Sequence, residues 1–323
     1  MKGFSPGAFW RKWYRQIIYV LLFAAVLGAS FYRGSVSLHV SDMTRGVYDH
    51  IENVPRLRRE RIQRLEQQLQ ALLTRRAPSN ELAAAAAQLA RAQLHSNGVV
   101  LISFDFAPDV SPELTPMTDA VVRHAFRRGV SVLAIAAADP RGAPLAKSIL
   151  DSCAQTPRDM YPERRAGEDY VFLGNRPDMF NTLLQMGKDL HATYGADYGG
   201  RPLAEIPFMR GLHTFDDIDY IVVITGYVSV PEVWMQIANT KYKATLGMGM
   251  TAVSIAGYMP YLHSQQITGL IPGLRGAAEY EIALGKPYVA TRRMIAQLVA
   301  HALVIVFIVA GNIEYFVRRR HGA

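Results

Sequence analysis

Val99-Val100-Leu101-Ile102-Ser103-Phe104-Asp105, answered downstream by the equally apolar Val130–Ala138, decides the fold. Neither run alternates polar with apolar residues, so neither has a face for water. A strand of this kind must be covered on both sides, and crossover helices supply the cover. Between the two runs Thr115 is placed as an N-cap with Pro116 at the first helical position, which predicts a helix to Gly129. The alternation continues with a helix over Ala143–Gln155, a strand at Tyr170–Leu173, a helix over Pro177–Leu190 and a strand at Ile218–Ile224. A helix over Pro231–Lys241 and a strand within Ala244–Ile255 follow, and Tyr261–Leu284 reads as a helix interrupted at Pro272-Gly273. The expected class is α/β: a parallel, doubly wound, Rossmann-like sheet of about five strands spanning residues 99–290.

Upstream of the sheet, residues 33–98 read as a linker followed by a helical hairpin or stalk. Pro55 marks a boundary, and Ile62, Leu65, Leu69 and Leu72 at 3-4-3 spacing make a short seam on a helix over Arg56–Arg76. That seam serves either a coiled coil or packing on the chain's own domain. Pro78 breaks the helix, Ser79 caps a second one through the alanine run 83–87, and Asn97-Gly98 stops it.

Both ends of the chain point to a bilayer. Ile17–Tyr32 is apolar and is preceded, in the tail 1–16, by Lys2, Arg11, Lys12 and Arg15 with Trp10, Trp13 and Tyr14, the cationic and aromatic flank of an inserting helix. Arg33-Gly34-Ser35 offers no clean small-x-small cleavage site, so this segment reads as an uncleaved anchor. At the other end, Ile295–Val317 has no charged side chain before Glu314, and the basic tail 318–323 opens with Arg318-Arg319-Arg320. Two spans are therefore expected, 17–32 and 295–317. Outer-flank cations (Lys2, Arg11, Lys12, Arg15, Arg318, Arg319, Arg320) outnumber the domain-side set (Arg33, Arg45, Lys286, Arg292, Arg293), which places both termini in the cytoplasm and the domain outside, in a cell inner membrane. Ala24 and Gly28, with Ala25 and Ala29, are small-xxx-small pairs that permit close helix contact. Gln297, His301 and Asn312 share one narrow face of the last helix, and that face should meet the first helix or a neighbouring subunit.

The chemistry-bearing residues are few. In a doubly wound sheet ligands bind beyond the carboxyl ends of the strands. Those ends nominate Asp105, Asp139, Asn175, Arg176 and Thr225, with Asp105 and Asp139 as a conceivable carboxylate pair or, alternatively, as turn formers. Asp216, Asp217 and Asp219 precede a strand and read as its solvated start. Gly247 and Gly249 sit inside a strand, where glycine implies close backbone approach or a bulge. Gly269–Gly276, with Arg275, is an anion site, a subunit contact or a kink. No GxGxxG, P-loop, HExxH, CxxC or GxSxG occurs, and none of the nine histidines is paired at i, i+4. Cys153, the one cysteine, is expected to be a buried small hydrophobe. No catalytic residue, metal or cofactor is expected. The net charge of +8 comes with no nucleic-acid motif, so the expected partners are the lipid bilayer and further copies of the chain, not nucleic acid.

Tyr258-Met259-Pro260-Tyr261-Leu262 and the run Gly273-Leu274-Arg275-Gly276-Ala277-Ala278-Glu279-Tyr280-Glu281, with the terminal helix after them, resemble uncharacterised prokaryotic membrane proteins. In that group an α/β domain lies between two terminal membrane helices. The resemblance implies architecture alone. Three functions follow in order: a non-enzymatic, homo-oligomeric membrane scaffold; a ligand-binding or sensory module using the strand-end crevice; and a hydrolase or transferase using the same crevice.

Overall fold

The computed structural model describes residues 6–31, 38–156 and 160–321, with side-chain environments at all of these except 6–15, 30, 314 and 317–321. It divides into two units, Leu38–Lys286 and the paired terminal segments.

In the first unit six strands form one wholly parallel sheet: β1 (Val99–Asp105), β2 (Ser131–Ile135), β3 (Tyr170–Phe172), β4 (Tyr220–Thr225), β5 (Leu246–Met250) and β6 (Leu270–Pro272). Their order is β3-β2-β1-β4-β5-β6, the doubly wound arrangement with its reversal between β1 and β4. Every residue of β1 is buried, as its unbroken apolar sequence requires. One face is covered by α2 (Asp42–Thr74), α4 (Ser111–Arg127), α5 (Gly142–Gln155) and α10 (Gly273–Ala283). The opposite face carries a large core beneath α6 (Met179–Met186), α7 (Leu190–Tyr194) and α8 (Val230–Trp234), which continues as a π-helix over Met235–Lys241.

Four sequence expectations are corrected here. The sheet has six strands because Leu270–Pro272, assigned above to an interrupted helix, pairs with β5. A 3-10 segment, Ala252–Tyr258, begins where the fifth strand was expected to continue, and the supposed helix over Tyr261–Leu284 separates into the end of α9 (Met259–His263), β6 and α10. Gly269 permits this: a Cβ there would lie 2.3 Å from the Val47 nitrogen, so glycine lets α2 approach the strand. The linker before Pro55 is also helical. Ser41 caps α2 and the helix runs through Pro55 to Thr74. A proline inside a helix costs about 3 kcal/mol. Buried Val47, Ile51 and Val54 recover about 1.5–3 kcal/mol each against the sheet, so packing wins. α4 begins at Ser111 rather than at Thr115, with Pro112 in its first turn and Pro116 inside. Finally, Asp217 is buried and Asp219 half-buried with its carboxylate turned inward, rather than solvated. Asp219 meets Arg58 at 3.2 Å and accepts from the Val99 amide at 2.8 Å. Asp217 accepts from the His213 amide at 2.9 Å.

The seam at Leu65–Leu72 lies along α3 (Ser79–Leu94), which returns antiparallel to α2, with Gln93 bonded to Glu66 near one end and Arg75 paired with Glu81 at the turn. Gly247 and Gly249 are close-approach glycines as expected, and Cys153 is buried. Where α2, α4 and α10 converge, His124 bridges Glu52 and Tyr280, each at 2.8 Å, with the Tyr48 ring stacked 4.4 Å away. Burial holds the imidazole below its ordinary pKa despite Glu52, so it is the neutral ring that accepts from Tyr280 and donates to Glu52.

The second unit pairs α1 (Pro6–Phe31) with α11 (Val289–His321). α11 holds a span, Val289–Ile313, long and apolar enough to cross a membrane. Among the described residues α1 holds no such span, so the expectation of two spans is met in part. Its apolar part is only Gln16–Ala29, about 21 Å of helix against the roughly 30 Å of a hydrocarbon core. The helix itself extends back to Pro6, so most of the expected tail 1–16 is helical. The flank expectations for Lys2, Trp10, Arg11, Lys12, Trp13, Tyr14, Arg15, Arg33 and Arg318–Arg320 fall outside the described residues or side chains.

Candidate functional site

The chain reversal puts a crevice above the carboxyl ends of β1 and β4, where Asp105 and Thr225 are register partners. Alternation along β1 turns Ser103 and Asp105 toward the large core. The Asp105 carboxylate is wholly buried and accepts from the Ser103 hydroxyl at 2.7 Å, the Ala138 amide at 2.9 Å and the Trp234 indole at 3.2 Å. Burial raises its pKa against the pull of these donors. Thr225 is also buried, its hydroxyl oxygen accepting from the Tyr227 amide at 2.9 Å. Both face the protein's interior.

Above them lies a polar bridge. Asp139, at the end of β2, takes Arg141 on one carboxylate oxygen at 2.7 Å and the Arg141 amide on the other at 2.8 Å. The Tyr227 hydroxyl, beyond β4, donates to the same carboxylate. Arg141, then burial acting the other way, then Tyr227 set the Asp139 pKa, which is lowered to about 2. Since β2 and β4 flank β1, the Asp139–Tyr227 contact crosses over the end of β1 and closes the crevice. Asp105 and Asp139 therefore do not form a carboxylate pair: one anchors Trp234 beneath the bridge and the other is neutralised within it.

On the β3 side, Asn175 donates its amide to the Ala136 carbonyl at 2.6 Å. Arg176 is exposed, donates to the Tyr194 carbonyl and lies 5.7 Å from the Tyr194 ring. It lines an open cleft of about 410 Å³ with Asn181, Gln185, Asp189 and Thr193. Asp189 is already committed to capping α7, accepting from His191 at 2.8 Å and Ala192 at 3.0 Å. The five residues thus fall into three places, and among the described residues no group of His, Cys, Asp and Glu is disposed to hold a metal.

No family model, curated protein or solved structure matches the chain.

The strand-end reading also points to Tyr227, in Thr225-Gly226-Tyr227 after β4, whereas sequence reasoning missed Arg141, Trp234 and Tyr194. Arg141 follows a strand end and had a positional signal. Trp234 had none, because nothing in Val230–Trp234 announces that its indole reaches the end of β1. The Tyr194 hydroxyl is buried with no hydrogen-bond partner among the described residues, and its environment was likewise unreadable.

In the paired terminal helices, Ala25 and Ala29 are shielded while Ala24 and Gly28 face outward, a Cβ at Gly28 meeting nothing within 4 Å. Gln297, His301 and Asn312 are all exposed, so their shared face does not meet α1. Asn312 satisfies itself on the Ile308 carbonyl at 2.8 Å. Gln297 and His301 have no hydrogen-bond partner among the described residues.

Proposed function

We propose that the protein is a membrane-anchored scaffold without catalytic activity, assembling with further copies of itself through its membrane helices and α/β unit. The observation that carries this reading is the outward face of α11, where Gln297 and His301 stand one turn apart, exposed, in the otherwise apolar stretch 294–310. Polar groups in hydrocarbon seek partners. An amide and an imidazole each donate and accept, so the same pair on a second copy is complementary across a two-fold axis. The closed strand-end crevice supports the absence of catalysis, since its polar groups are already bonded within the chain.

In this reading α1 inserts beside α11 as a shorter second pass, both termini are cytoplasmic and the α/β unit lies outside an inner membrane. The excess of basic residues on the outer flanks supports that orientation. Kinship with the prokaryotic group named above is part of the same proposal and rests on Tyr258–Leu262 and Gly273–Glu281. Cys153 is buried, so single cysteines introduced at residue 3 or 59 report sidedness against a low background.

Native mass spectrometry of the whole chain in mild detergent tests the assembly. A concentration-dependent multimer is expected, weakened by roughly 1–3 kcal/mol in Q297L/H301L. A monomer at every concentration refutes it. A ligand-binding or sensory role is favoured by a separate observation, the cleft beside Arg176. Thermal stabilisation by a small polar ligand, lost in R176Q, supports that alternative.

A further inference from the structure

The open cleft of about 410 Å³ beside Arg176 lies between α6, α7 and the turn after β3, and its charges balance. Among the described residues, Arg176 and Asp189 are the only ionised side chains on its walls. They stand at opposite ends of α7. A terminal amino group of Arg176 donates to the carbonyl of Tyr194, the last residue of that helix, while Asp189 caps its first turn. Five residues at about 1.5 Å each set the two charges roughly 7.5 Å apart along the axis.

The bonding capacity left over alternates in kind. Asp189 spends one oxygen on the Ala192 and His191 amides, which lower its pKa and keep it charged, and its Oδ2 has no hydrogen-bond partner among the described residues. Asn181 gives its side-chain nitrogen to Asp178 at 2.5 Å, so its carbonyl oxygen is the free end. One turn further along the same face of α6, the exposed Gln185 side chain bonds to nothing among the described residues and offers both a donor and an acceptor. Arg176 retains further N–H donors.

This arrangement selects among small polar ligands. An anion that gains Arg176 meets Asp189, and a cation meets the reverse. An α-amino acid carries both charges on neighbouring carbons, too close together to reach both ends of α7. A neutral pyranose meets every requirement: each hydroxyl donates and accepts, hydroxyls sit at both ends of the ring, and its C–H faces suit Pro177 and Ala192.

We propose that this cleft binds one hexose unit of a neutral sugar. The proposal goes beyond self-assembly: it rests on the ligand-binding alternative for the same cleft and names the ligand class. A free hexose and the terminal unit of a glycan share this chemistry.

The full chain, purified in a polyoxyethylene detergent that carries no sugar headgroup, is followed by saturation-transfer-difference NMR. The probes are D-glucose, D-galactose, D-mannose, maltotriose as a glycan end, free glycine as a zwitterion and inorganic phosphate as an anion. Saturation transfer to at least one of the sugars is expected, and none to glycine or phosphate. Q185A, at an exposed helical position that alanine suits, should weaken sugar binding roughly three- to tenfold. D189N keeps a capping side chain but loses the charge, and should weaken it roughly tenfold or more. Q70A removes an exposed amide from α2 and should leave binding unchanged. Tighter binding of maltotriose than of any hexose assigns the cleft to a glycan end, and the reverse assigns it to a free sugar; both support the proposal. Sugar binding unaltered in Q185A and D189N, or absent altogether, overturns it. The two failures are distinct: glycine or phosphate bound in place of a sugar and weakened in Q185A removes the sugar but keeps the ligand-binding reading, whereas no binding of any probe removes both.

Discussion

Replacing Asp105 by asparagine separates a structural carboxylate from a working one. Asp105 accepts from Ser103 and Trp234 on one oxygen and from Ala138 on the other. The amide in D105N keeps one accepting oxygen and turns two N–H donors toward groups that are themselves donors. The Ser103 hydroxyl can rotate to accept, but the Trp234 indole cannot. One buried donor is left unmatched, a cost of about 1–3 kcal/mol. For a unit the size of Leu38–Lys286, that is a fall in Tm of roughly 2–12 °C. The cost should depend on pH with a definite sign. Burial raises the Asp105 pKa in the fold, so the protonated form gives a stabilising contribution below the ordinary carboxylate value of about 4 that is lost as pH rises through the folded value. D105N has no proton to lose. The gap in Tm between wild type and variant should therefore be wider at pH 4.5 than at pH 7.5, measured by nanoscale fluorimetry in one detergent. A gap that widens toward pH 7.5 would refute the reasoning, since it would mean the charged carboxylate is the favoured form and has a cation to meet.

Two further outcomes follow from buried polar contacts. R58M should cost about 3–5 kcal/mol, because it strands Asp219 at 7% side-chain exposure, and R58M/D219L should cost much less than the two single changes together; additivity in chemical denaturation would argue against a coupled pair. For His124, whose pKa burial lowers, the stabilisation is complete above about pH 6.5 and declines as pH falls from there through the folded value, so H124Q should flatten the Tm profile between pH 7.5 and pH 5; an unchanged slope would remove His124 as its source.

The architecture was legible where residue type leaves no choice. Val99–Asp105 could be only a doubly covered strand, and the helix–strand alternation after it gives the parallel sheet. What was not legible depends on contacts distant in sequence. Pro55 looks like a boundary until Val47, Ile51 and Val54 find β4–β6. Leu270–Pro272 looks like part of a helix until Gly269 admits α2 beside it. The site was half-visible for a similar reason. Strand ends locate Asp105, Asp139, Thr225 and Tyr227 from sequence alone, but not the Trp234 and Arg141 that occupy the carboxylates' bonding capacity. The outward face of α11 was readable because helical spacing is local, while its turning away from α1 was not.

The Ser41 amide and hydroxyl both reach Glu279, at 3.0 and 2.6 Å, across 238 residues of sequence. The first helix of the α/β unit therefore waits for one of its last. At about 5–20 residues per second, synthesis separates the two by about 10–50 seconds. Throughout that interval the apolar stripe of α2 has no β6 and no α10 to lie against, while the strands it will cover are still emerging. The unit closes like a ring whose clasp is made last, and the nascent chain is exposed to mispairing until Glu279 leaves the ribosome.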